Sequence, residues 1–227
     1  MISFRATDEE QAFIDLAKNI AVQKIRPLII NGDLEAVQYE EVIQQIKELG
    51  LFNLELQESW HGLELPLVTQ VQILQSLSYG DLDFVQSLPD AGDAASFIRL
   101  LPENQPLRRL KDQFLLQEMN AIACVVVEQK ESPILHVEKT RNRLLLHGKT
   151  PPVRLGEACN LAVFSIKDTA GHHLIFYLEI PDDWKVPVEN RLGLVNAKLT
   201  TFNFNQVEIP EEQVLARGAV AEDIDRK

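Results

Sequence analysis

Cysteine is nearly missing from this chain: Cys124 and Cys159 are the only two in 227 residues. Two cysteines in a chain of this size exclude a disulfide-built scaffold and read as reduced, buried thiols. Positive charge is also short. Lys and Arg number 22 against 34 Asp and Glu, for a formal net charge of −12. That excludes a nucleic-acid surface, which needs a basic face. It also weighs against an open site for a phosphorylated ligand, whose phosphates want Lys or Arg nearby, unless a local cluster supplies them. No basic-plus-apolar leader opens the chain, and no apolar run is long enough to span a bilayer, so a cytoplasmic protein is expected. Common catalytic signatures are lacking too. There is no Gly-x-Ser-x-Gly, no phosphate-binding Gly-rich loop, no His-Glu-x-x-His and no Cys-x-x-Cys. What remains is an ordinary globular composition, 45% hydrophobic and 25% charged, long enough for one large domain or two ordinary ones.

The first half has helical periodicity. Thr7 with Glu10 fits a capping box, and Phe13, Leu16, Ala17, Ile20 and Ala21 recur at helical spacing behind it. Pro27 predicts that this helix ends near Ile25. A second helix is expected over 39–49, with Val42, Ile43, Ile46 and Leu49 inward and Gly50 as its C-terminal cap. A third is expected over 66–79, carrying Val71, Leu74 and Leu77, before Gly80-Asp81 breaks the pattern. A short helix with Ala94, Phe97 and Ile98 and a last one with Leu107, Leu110, Phe114 and Leu115 complete the set.

After Asn120 the period changes to two. Ile122 to Val127 reads as an apolar strand. Ile134 to Lys139 and Arg143 to His147 read as a hairpin across Thr140-Arg141-Asn142. Leu161 to Ile166, Leu174 to Ile180 and Thr200 to Val207 are further strands, with a turn at Asp168-Thr169-Ala170-Gly171. The expected class is α+β: an N-terminal α-helical domain over 1–120, an antiparallel β-barrel or sandwich over 121–217, and a tail at 218–227.

Four ordered segments carry a family resemblance. Leu49-Gly50-Leu51-Phe52-Asn53-Leu54 with Gln57-Glu58-Ser59-Trp60-His61-Gly62 is one, and Leu74 to Asp81 is the next. Leu146-His147-Gly148-Lys149 follows. The last is Leu192-Gly193-Leu194 with Phe202 to Leu215, which includes Val207-Glu208-Ile209-Pro210. In this order they resemble the N-terminal and middle domains of acyl-CoA dehydrogenases. The resemblance implies an α-helical domain, a β domain and a second helical bundle, with FAD between the last two. It implies removal of two hydrogens from an acyl thioester, a carboxylate taking the α-proton while the flavin takes the hydride. In the family that carboxylate lies in the bundle following the position of residue 217, which this chain is expected to lack, so no catalytic residue is assigned.

The flavin segments depart from the family. Val127-Glu128-Gln129-Lys130-Glu131-Ser132 stands where the family writes Thr-Glu-Pro-x-x-Gly-Ser-Asp, so Val127 replaces a hydroxyl and a glycine is lost. From Gly148 to Gly156, Pro152 replaces the family's aromatic residue, Arg154 its hydroxyl and Leu155 its amide. By family position the candidate cofactor-binding residues are Val127, Glu128 and Arg154, with Lys149 as a possible second cation of an anion site. Trp60-His61 is expected to make a packing contact, and Arg108-Arg109-Lys111 a solvated basic face. His172-His173 is set aside as a metal pair, because adjacent strand residues point to opposite faces. No metal is expected.

Three functions follow. The first is a divergent acyl-CoA dehydrogenase-like protein without flavin chemistry, binding a partner or an acyl thioester. The second is a piece of an FAD-dependent oxidoreductase, a flavoprotein. The third is a scaffold unrelated to acyl groups. No cofactor is expected on this chain, FAD being retained only under the second. A homo-oligomer or a protein partner is expected at the helical domain, because its amphipathic faces exceed what they can bury against one another.

Overall fold

A computed structural model describes residues 5–30, 36–117, 121–127, 135–140, 143–189 and 193–227. Glu128 and the stretch through Ser132, Arg141-Asn142 of the hairpin turn, and Leu192 lie outside the described residues. The chain forms two compact units, Met1–Leu88 with Leu192–Ala197, and Pro89–Arg191 with Lys198–Lys227.

The first unit is helical. Helix α1 (Asp8–Ile20) starts with the expected capping box: Thr7 Oγ1 accepts from Glu10 N–H, and the Glu10 carboxylate accepts from Thr7 N–H at 2.7 Å. The Thr7 N–H, with the hydroxyls of Thr69 and Thr7, holds the Glu10 carboxyl below its ordinary range. Pro27 does not end the helix. The chain widens into a π-helical turn over Ala21–Ile25, where Arg26 N–H reaches back five residues to Ala21 O, and runs on as α2 (Arg26–Ile30). A proline supplies no N–H and crowds the carbonyl four residues back; the wider turn moves the bonding register so that neither breaks the helix. Gly80 lies on this turn. A Cβ there would stand 2.8 Å from Ile25 Cβ and 2.9 Å from Ala21 O.

Helix α3 (Ala36–Glu48) ends as expected. Gly50 adopts φ +72°, its N–H bonding Lys47 O while Leu51 N–H bonds Ile46 O. Helix α4 (Leu67–Ser78) buries Leu77 as expected but turns the rest of the expected face outward. Thr69, Gln70, Ile73 and Leu77 are buried, whereas Val71 is 54% and Leu74 39% exposed. Apolar residues occur all round this helix, so periodicity alone does not choose a face; the packing of α1 against α4 does. Asp81 caps α5 (Leu82–Gln86) by accepting from Phe84 N–H at 2.7 Å. Asp83 of α5 accepts from both the backbone and side-chain nitrogens of Asn196, holding a short 3-10 turn over Val195–Ala197. The core collects Ala17, Ile20 and Ile25, Val42 and Ile46, Ile73 and Leu77, and Phe84.

The second unit is layered. Among the described residues, helices α6 (Gly92–Leu100) and α7 (Gln105–Leu115) precede eight strands: β1 (Ile122–Val126), β2 (Leu135–Thr140), β3 (Arg143–Lys149), β4 (Leu161–Lys167), β5 (His173–Glu179), β6 (Lys185–Pro187), β7 (Thr200–Ile209) and β8 (Val214–Arg217). They form two sheets, ordered β1-β4-β5-β8 and β2-β3-β7-β6. The pairing is antiparallel except that β1 runs parallel to β4, with Ile122 opposite Leu161. The sheets do not close into a barrel. Phe164 and Phe176 from one sheet and Phe202 and Phe204 from the other share one core. The Phe164 and Phe204 rings meet edge to face at 5.7 Å. The expected tail carries a helix, α8 (Gly218–Asp225), which buries Ala221 and Ile224. Helix α6 packs on β1, α7 on β8 and α8 on β5 and β8, so all three helices accompany one sheet.

Candidate functional site

The loop after β3 is built by its ends. Thr150 is buried, its N–H donating to Phe202 O at 3.0 Å and its Oγ1 accepting from Phe202 N–H at 2.9 Å. Val153 makes both backbone bonds to Thr200, at 2.8 and 3.0 Å. Gly156 is pressed onto β7: a Cβ would come within 2.8 Å of Thr200 Cβ. These ties force a left-handed turn at Leu155, φ +56°, a conformation unfavourable for a branched side chain.

Between the ties sits Arg154, directed at Asp90 in an ion pair. Gly92, at φ +45°, makes the room. A Cβ on it would stand 2.5 Å from Arg154 Nη2. Burial pushes the Asp90 carboxyl up from its ordinary range; Arg154 and the Gly92 N–H pull it back, and Asp93 pushes it further up. Arg154 is therefore not the solvated loop charge that loop arginines ordinarily are, whereas Lys149 is exposed.

The structure does not bring the sequence candidates together. The Asp90 carbonyl accepts from Ile122 N–H at 3.1 Å at the start of β1. Val127 lies just past the other end of that strand, about 16 Å away along an extended chain. Its N–H is spent on Ser165 O at 3.0 Å, and its side chain packs on the core. Glu128 lies outside the described residues.

One cluster has no signature in the sequence. Asp225 of α8 accepts from Ser165 Oγ and pairs with His173 Nδ1 at 3.1 Å. The carboxylate stands between hydroxyl and imidazole, so His173 is not placed to take the Ser165 proton; the arrangement ties α8 to the sheet. The residues come from β4, β5 and the end of the chain, and no local spacing signals their meeting. His172 pairs instead with Asp168 at 3.2 Å, so the two adjacent histidines do diverge. The bonds from the His172 and Ala170 backbone hold the Asp168 carboxyl low against the opposing effect of burial. Among the described residues no three His, Cys, Asp or Glu side chains are grouped to hold a metal. Both thiols are free, Cys159 buried and Cys124 half-buried; burial raises them to about 11 and about 12, with Asp93 and Asp225 adding to the rise at Cys124. No helix among the described residues is long and apolar enough to cross a membrane.

Comparison with known proteins agrees with this fold. Residues 7–97 match the family model for the acyl-CoA dehydrogenase N-terminal domain. No curated protein matches the sequence. Among solved structures, the electron transferring flavoprotein of Acidaminococcus fermentans aligns with TM-score 0.74 at 17% identity, over 99% of this chain and 62% of that one. Butyryl-CoA dehydrogenase from Megasphaera elsdenii aligns with TM-score 0.73 at 18% identity, over 98% of this chain and 62% of that one. An acyl-CoA dehydrogenase from Bacillus anthracis complexed with FAD aligns with TM-score 0.70 at 16% identity, over 99% and 40%. Residues 7–97 are thus similar to an acyl-CoA dehydrogenase N-terminal domain, and the whole chain shares the fold of these structures. It spans 62% of the length of the first two structures.

Proposed function

We propose that this chain is an acyl-CoA dehydrogenase-like scaffold that binds a partner or an acyl thioester without oxidising it. The observation that carries the reading is the Arg154–Asp90 pair. In the resembled family a hydroxyl at the Arg154 position faces the flavin; here the guanidinium is committed to a carboxylate of its own chain. The surrounding groups fit FAD no better. The N–H groups of Thr150, Val153, Gly156, Glu157, Ala158 and Cys159 all donate within the chain, and Pro151 and Pro152 have none. Val127 offers no hydroxyl and no spare N–H. A flavin ring needs donors aimed at its polar edge, and these N–H groups are already used within the chain.

A partner has a surface to use. Leu67, Val71 and Leu74 form an exposed apolar stripe on α4, and contiguous apolar surface on a folded domain marks an interaction site. The second reading is a flavoenzyme of which this chain is a part, favoured by its alignment with structures that span more than this chain.

The test is the absorbance of the natively purified protein and of the supernatant after denaturation, repeated after incubation with FAD. The expected spectrum lacks the flavin bands in both cases. About one FAD released per chain would overturn the reading in favour of the flavoenzyme.

A further inference from the structure

We draw no further inference here: the strongest candidate, the exposed apolar stripe of Leu67, Val71 and Leu74 on α4, belongs to the partner surface already described, and nothing in the structure shows what covers it.

Discussion

Replacing Arg154 by methionine removes the guanidinium while keeping a long side chain in the space that Gly92 leaves open. Asp90 is then a carboxylate in a poorly hydrated site without its cation. Breaking a fully buried pair in this way costs about 3–5 kcal/mol. A fully exposed pair is worth about 0–1 kcal/mol. With the Arg154 and Asp90 side chains 28% and 19% exposed, the site lies between these limits. The expected loss is about 2 kcal/mol, or roughly 4–8 °C in melting temperature for a chain of this length. The pH dependence carries the sharper test. Burial already holds the Asp90 carboxyl above its ordinary value, so the folded state keeps that proton more tightly than the unfolded state does. Stability is therefore lost as pH rises through the folded value. Without Arg154 the rise is larger. The deficit of Arg154→Met is greatest at pH 7 to 8 and shrinks on acidification below the raised value, where Asp90 is neutral. The double variant Asp90→Asn with Arg154→Met, which buries no charge, recovers most of the loss. Thermal melts of parent, single and double variants from about pH 8 down to the acid limit of folding measure all three effects. A single variant as stable as the parent at pH 7, or a deficit unchanged across that range, would refute the reasoning.

Two further outcomes are expected. Gly62→Ala should cost about 3 kcal/mol or more, because a Cβ there overlaps the carbonyl oxygen of Leu56 and backbone cannot step aside as a side chain does; a melt within 1–2 °C of the parent contradicts this. Cys124 and Cys159, raised to about 12 and about 11, remain thiols at pH 8, so iodoacetamide should label neither in the folded protein and both in denaturant. Stoichiometric labelling of the folded chain at pH 8, read by mass spectrometry, disproves the second.

Local chemistry made much of the fold legible in the sequence. The Thr7–Glu10 box, the Gly50 cap and the Asp168 turn each involve groups within a few residues of one another, and each is present as read. The change of period near residue 120 likewise marks where helix gives way to strand, because burial on one face imposes that period before any partner is chosen. Residue identity alone also set how the chain differs from the flavin segments of the family it resembles, since valine has no hydroxyl and proline no N–H. Tertiary structure decided the rest. Which face of α4 turns inward depended on what α1 offered it. The parallel pairing of β1 with β4, and the short strands β6 and β8, arise from partners far along the chain and leave no periodicity of their own. Most consequential is Arg154. Its partner Asp90 is 64 positions away, and the pair forms only because Gly92, at positive φ, clears space for the guanidinium. The resemblance sets an arginine where the family writes a hydroxyl. Only the fold shows that its charge is already answered from within.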